Sequence, residues 1–199
     1  MRYSAEHKKR TEEKVIAAAG QVFRKEGYGG AGIDALTKAA GVTNGAFYGH
    51  FRSKSDAFRV AVVTGLEELR LGIAALRAEH KQGWLKKFVN YYLGFKRTCD
   101  LGESCALPSL SADVMRADRE TRNAYTEELG RLVTEIAAGL PEAAPGNRKG
   151  TSQEGRAILL LALLAGGVTL ARAVSDPALS EQIAGLVTAE ALRRARPDA

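Results

Sequence analysis

Residues 33–54 constrain this chain more tightly than any other stretch. They read Ile-Asp-Ala-Leu-Thr-Lys-Ala-Ala-Gly-Val-Thr-Asn-Gly-Ala-Phe-Tyr-Gly-His-Phe-Arg-Ser-Lys. Ile33, Leu36 and Ala40 fall on one face at helical spacing, which predicts a short helix over 33–40. Gly41 follows, and glycine accepts a left-handed turn without Cβ strain. Val42 can pack back into the angle between two helices. Thr43 or Asn44 can then cap a second short helix carrying Ala46, Phe47 and Tyr48. Helix, glycine turn and helix make a helix-turn-helix, a motif whose second helix lies in the DNA major groove.

The composition of that second helix assigns roles. Asn44, Gly45 and Ala46 are small, so its first turn can approach a duplex closely. Phe47 and Phe51 sit four apart and should face the protein. Asn44 is the expected base reader, because its amide can pair bidentately with adenine. Thr43 can meet a base edge or a phosphate. Tyr48, His50 and Lys54 carry polar tips suited to backbone phosphates.

The surrounding residues carry a resemblance. Ala18-Ala19, Phe23 and Gly27-Tyr28 come first, then Ala40-Gly41-Val42-Thr43, Gly45-Ala46-Phe47-Tyr48, His50-Phe51 and Ser53-Lys54. In that order they resemble the DNA-binding domain of the TetR family of transcriptional regulators over residues 11–65. The family commonly places Thr or Ser before the second helix, where the hydroxyl caps the helix and touches a phosphate. This chain has Ala31 and Gly32 there, which leaves the bare backbone at Gly32 for the contact. The resemblance implies an all-α chain: an N-terminal three-helix helix-turn-helix domain and a C-terminal helical domain for ligand binding and dimerisation. The expected division is a basic arm at 1–10, a DNA-binding domain at 11–56 and a helical domain at 57–199.

The charge distribution fits that division. Residues 1–60 hold 11 Lys and Arg against 6 Asp and Glu, while residues 61–199 hold 18 against 17. The basic excess therefore lies with the helix-turn-helix, as expected of an end that faces nucleic acid. Lys8, Lys9 and Arg10 would extend it as a mobile arm. The two cysteines, Cys99 and Cys105, make no disulfide framework and have no zinc spacing. The polar N-terminus does not read as a signal peptide. The apolar run between Arg156 and Arg172 is shorter than the ~18–20 residues that span a bilayer. These features predict a cytoplasmic protein with no membrane partner and no cofactor. His7, His50 and His80 lack a metal-ligand partner at helical spacing, and no glycine-rich phosphate loop follows a strand. No enzyme is expected.

Beyond residue 53 the chain reads as helices. Residues 53–77 carry a stripe of Phe58, Val62, Leu66, Leu69, Ile73 and Leu76, forming a long helix that leads out of the helix-turn-helix as a lever. Residues 84–98, 105–117 and 119–140 follow, and Pro141, Pro145, Gly146 and Gly150 mark a loop to about Gln153. Residues 154–174 are apolar almost all round, and such a helix must be buried on every side. A second copy of the chain can cover what its own domain does not. The dimer interface is expected at Leu160, Leu164, Gly167 and Val168, with Ile183, Leu186 and Val187 of the last helix.

The resemblance further implies a small-molecule pocket among the C-terminal helices. The aromatic face Trp84, Phe88, Tyr92 and Phe95, with Cys105 and Tyr125, is the candidate lining; an aromatic stripe is also what plain core looks like. The expectation is a homodimer on a double-stranded palindromic operator, a repressor released by a small apolar inducer. Two alternatives stand beside it: the same regulator triggered by cysteine oxidation or alkylation, and a helical ligand-binding protein without DNA binding.

Overall fold

The structure is a computed structural model. It describes residues 5–142 and 151–195, with side chains described from residue 11 onward. Met1–Ser4, the side chains of Lys8, Lys9 and Arg10, the loop residues Pro145, Gly146 and Gly150, and Arg196 lie outside the described residues.

Among the described residues all regular structure is helical, as the sequence predicts. The helices are α1 (Ala5–Gly30), α2 (Ile33–Ala40), α3 (Asn44–His50), α4 (Lys54–His80), α5 (Trp84–Leu93), α6 (Phe95–Thr98), α7 (Ala106–Val114), α8 (Arg119–Ala137), α9 (Gln153–Ala173) and α10 (Pro177–Arg194). Residues 5–10 of the expected arm are backbone of α1. The expected single helix over 84–98 is two helices. Its backbone leaves the helical region at Gly94, with φ −90° and ψ −93°. A Cβ there would lie 2.6 Å from the Asn90 carbonyl oxygen, so the break needs glycine.

The chain forms two compact units. The first comprises Met1–Leu66 and Asp100–Glu127. Its core gathers Val15, Ala19, Phe23, Leu36, Phe47, Phe51, Phe58 and Val62, all buried. The Phe23 and Phe58 rings meet edge to face at 5.2 Å, a favoured aromatic geometry. Gly27, at φ +69°, ends the regular part of α1 as expected, and the chain turns there toward α2. α4 and α7 touch almost backbone to backbone. A Cβ on Gly65 would lie 2.4 Å from that of Ala106.

The second unit comprises Glu67–Cys99 and Glu128–Ala199. α5 buries Trp84, Phe88, Val89, Tyr92 and Leu93, and packs with α9 and α10. The Trp84 indole N–H donates to the Gly139 carbonyl at 3.1 Å. Charged side chains tie α4 to α8: Arg70 meets the buried Glu128 at 2.7 Å, and Arg77 pairs with Glu135. α9 and α10 form an antiparallel pair, and Gly167 lets α10 approach. A Cβ there would lie 2.7 Å from Val187 Cγ1.

By length and composition alone α9 could cross a membrane, being longer than the uncharged run between Arg156 and Arg172 suggests. One face of it, with Ala157, Leu160, Leu161, Leu164, Val168 and Ala171, is buried in its own unit, as in a core helix.

Candidate nucleic-acid interface

The helix-turn-helix begins without a side-chain cap. Gly32 is the N-cap of α2, extended at φ −73° and ψ 156°, and the helix starts with Leu36 N–H donating to the Gly32 carbonyl at 3.1 Å. Ala31, just before it, is completely buried. The departure at Ala31-Gly32 therefore has a steric reason at one position only. A Cβ on Gly32 would meet nothing within 4 Å. Gly32→Thr is expected to supply the missing cap, raising stability by a few tenths of a kcal/mol and tightening binding to duplex DNA. Thermal melts and fluorescence anisotropy on a labelled duplex check both.

α2 closes on Gly41 in the left-handed conformation, φ 65° and ψ 33°, with the Gly41 and Val42 N–H groups returning to carbonyls of the last turn. Thr43 then caps α3. Its hydroxyl accepts from Ala46 N–H at 3.2 Å, so Thr43 and not Asn44 is the N-cap. Two rings set the rotation of α3. Phe47 is fully buried and Phe51 nearly so, their centroids 4.9 Å apart. The opposite face carries Asn44, Gly45, Ala46 and Tyr48, all exposed, with Tyr48 52% accessible. His50 is half-buried at the end of the helix. Thus Thr43, Asn44, Gly45, Ala46, Tyr48 and His50 share one short element, and Gly32 sits one helix earlier.

Lys54 opens α4. Its ammonium does not extend freely into solvent: it lies 4.6 Å from the centre of the Tyr28 ring. Arg52, with a side chain 76% accessible, is the cation that sequence reasoning missed. It follows Phe51 directly, a position legible once α3 is placed. Its guanidinium stands 3.6 Å from Asp56 and 3.7 Å from Glu120. Arg59 pairs with the same two carboxylates, and the Ser55 hydroxyl donates to Asp118 at 2.5 Å. These groups line a polar recess of about 180 Å³. Burial would raise the Asp56 carboxyl. The Arg52 backbone N–H, the Arg59 hydrogen bond and both guanidinium charges outweigh it and hold that carboxyl below its ordinary range. The Ser55 hydroxyl, with Thr121, does the same to Asp118.

Residues 15–60 match the sequence model of the family described as "Bacterial regulatory proteins, tetR family". Over those residues, which form the helix-turn-helix and the start of α4, the chain is similar to the TetR family of transcriptional regulators. TetR-family proteins bind DNA and are not enzymes. Among curated relatives, the HTH-type transcriptional repressor DhaR of Mycobacterium sp. (strain GP1) is 28% identical over 103 residues, covering 51% of this chain and 51% of DhaR. The chain spans between about a third and about a half of the length of the curated relatives it matches. The fold is shared more widely. The reduced form of E. coli NemR superimposes with a TM-score of 0.74 at 19% identity, over 92% of this chain and 96% of that one. FadR from Bacillus subtilis, in complex with stearoyl-CoA, superimposes with a TM-score of 0.62 at 16% identity, over 88% and 97%.

The second half distributes its expected residues unevenly. Of the aromatic set, Trp84, Phe88 and Tyr92 are buried along α5, with Phe88 and Tyr92 centroids 5.5 Å apart. Phe95 leaves this face because Gly94 turns the chain; it is half exposed and stacks on Tyr91 at 5.6 Å. Cys105 and Tyr125 belong to the first unit, where the Tyr125 hydroxyl is 2.9 Å from that of Ser111. Cys99 and Cys105 likewise fall in different units.

On α9, Leu160, Leu164, Gly167 and Val168 are buried within their own chain. They are not the surface open to a partner, because α5 and α10 take that face. On α10, Ile183 and Val187 are half-buried, and Leu186 stays 66% exposed. The apolar side chains left open on the pair are Ile158, Leu159 and Leu170 of α9 with Leu179 and Leu186 of α10.

Proposed function

We propose that this protein is a ligand-responsive transcriptional regulator, a cytoplasmic homodimer that represses by occupying a palindromic operator and leaves it when a small apolar inducer binds. One observation carries the reading: α3 and its caps bury Phe47 and Phe51 and present Thr43, Asn44, Gly45, Ala46 and Tyr48 to solvent. A helix held by its rings and bare on its small polar side is shaped to enter a major groove. Asn44 reads a base edge. Thr43, Tyr48, His50, Lys54 and the backbone at Gly32 hold phosphates and fix register.

So short a helix reads few bases. Two copies on a twofold axis read a palindrome with half-sites ~34–36 Å apart or a multiple of it. The open leucines of α9 and α10 supply the twofold contact. The repressor role is supported by the name of DhaR, and an apolar ligand by the stearoyl-CoA bound to FadR. In this chain the buried aromatic run of α5 is the best candidate to border the ligand. The inducer acts only through its difference in affinity between the DNA-competent state and the other.

Footprinting on DNA beside the protein's own gene tests the reading, with fatty-acyl thioesters and aromatic effectors added in turn. Once an operator is known, Asn44→Ala should cost ~1–3 kcal/mol on it and relax the choice of base, while Lys54→Ala weakens all sequences alike and flattens the salt dependence. Equal behaviour of the two variants would reverse the assignment of reader and phosphate clamp.

A further inference from the structure

We infer that Tyr28 and Asp113 are positioning residues for the phosphate contact of Lys54, so that α7 sets the grip of the helix-turn-helix on the DNA backbone. The inference rests on the DNA-binding reading above and adds to it two residues that touch no DNA.

The geometry is a short chain of contacts within the first unit. Lys54 Nζ stands 4.6 Å from the Tyr28 ring centre, over the negative face of the π system, where a cation is attracted. The ring is also packed against two others. Phe58 abuts it at 5.0 Å and 60°, and Phe23 lies nearly parallel at 6.3 Å. The backbone of Tyr28 is fixed as well. Its N–H donates to Asp113 Oδ2 at 2.8 Å, across 85 residues of sequence. The second carboxylate oxygen of Asp113 accepts from Arg116 at 2.9 Å, which orients the carboxylate. Gly27 gives this contact room: a Cβ at that position would lie 3.2 Å from the same Asp113 oxygen.

A lysine carries a flexible four-carbon stem, and fixing it costs side-chain entropy on binding. The Tyr28 face restrains that stem before DNA arrives, while the half-buried lysine keeps ammonium donors for a phosphate. Asp113, at the last turn of α7, anchors the backbone from which the Tyr28 ring projects. A displacement of α7 therefore reaches Lys54 through one hydrogen bond and one ring.

Lys54's contact is sequence-independent, so a labelled random-sequence duplex suffices as probe. Its affinity is measured by anisotropy for the full-length protein across a salt series. Lys54→Ala should lower the slope of log affinity against log salt by about 0.9, the contribution of one phosphate. Tyr28→Leu and Asp113→Ala should each lose affinity by about 3- to 10-fold and flatten the slope in the same sense. Tyr28→Phe keeps the ring and Asp113→Asn keeps the acceptor oxygen, so both should restore wild-type behaviour. In the Lys54→Ala background, Tyr28→Leu and Asp113→Ala should have no further effect, the signature of residues that act through Lys54.

If Lys54→Ala flattens the slope and Asp113→Ala and Tyr28→Leu do not, or if their losses add to that of Lys54→Ala, the positioning role is wrong and DNA binding stands. If the wild-type protein shows no salt-dependent affinity, both fall. Asp113 is a surface-proximal side chain outside the aromatic core, so its pair of variants decides the matter even where Tyr28→Leu fails to fold.

Discussion

Leu170→Lys combined with Leu186→Lys is expected to leave the protein folded and monomeric. The two leucines are 61% and 66% exposed on the outer faces of α9 and α10. Lysine matches leucine closely in helix propensity, so neither helix should suffer. In a symmetric dimer the pair removes four leucines from the contact. Only the exposed 61% and 66% of each remains to be buried, so at ~1.5–3 kcal/mol for a whole leucine the four together lose about 4–8 kcal/mol, at least about a thousand-fold in dissociation constant. Light scattering behind a sizing column measures it directly. The monomer should also lose tight binding to any two-half-site DNA, because each protomer then pays separately for docking. A double variant that stays dimeric would place the twofold contact elsewhere. Leu160→Lys or Leu164→Lys should behave differently: both side chains are completely buried in their own chain, and a charge there unfolds the α9–α10 pair.

Phe47→Ala should cost about 3–5 kcal/mol of stability and abolish DNA binding. α3 has seven residues, too few to persist as a helix by itself. What holds it is the Gly41 turn, the Thr43 cap and the burial of Phe47 against Phe51. Deleting the Phe47 ring opens a cavity under the helix, and the exposed side then has no scaffold. Chemical denaturation gives the energy, and amide exchange across 43–51 gives its location. The variant should lose protection there first, with α9 and α10 unaffected. Full protection of α3 in Phe47→Ala would mean that its rotation is fixed by something other than these rings.

The helix-turn-helix was legible because its signals are local. A glycine in the left-handed turn, a threonine cap two residues on and two phenylalanines at i and i+4 specify position and rotation together, and the structure places each as expected. Local signals also mark α10, where Asp176 caps the helix and Pro177 takes its first turn. α9 is the contrary case. A helix apolar on every side has no periodicity to say which leucines look inward, so the side chains expected at a partner, Leu160, Leu164 and Val168, turned out to be core. The aromatic run 84–95 misled in another way. Its spacing continues through Gly94, but the backbone does not, and Phe95 leaves the buried face. The contacts of Tyr28 with Asp113 and of Arg59 with Glu120 bridge 85 and 61 residues, and no spacing rule reaches that far.

The near-contact of Gly65 and Ala106 has a mechanical consequence. Most packed helices are separated by side chains that can change rotamer, and small movements die out in that cushion. Here a Cβ on Gly65 would already be 2.4 Å from that of Ala106, so at this one point α4 and α7 meet with no flexible side chain between them. At that point a displacement of one helix meets the other directly, with no rotamer change to absorb it. Softening that junction, not strengthening it, is how a designer would uncouple α4 from α7.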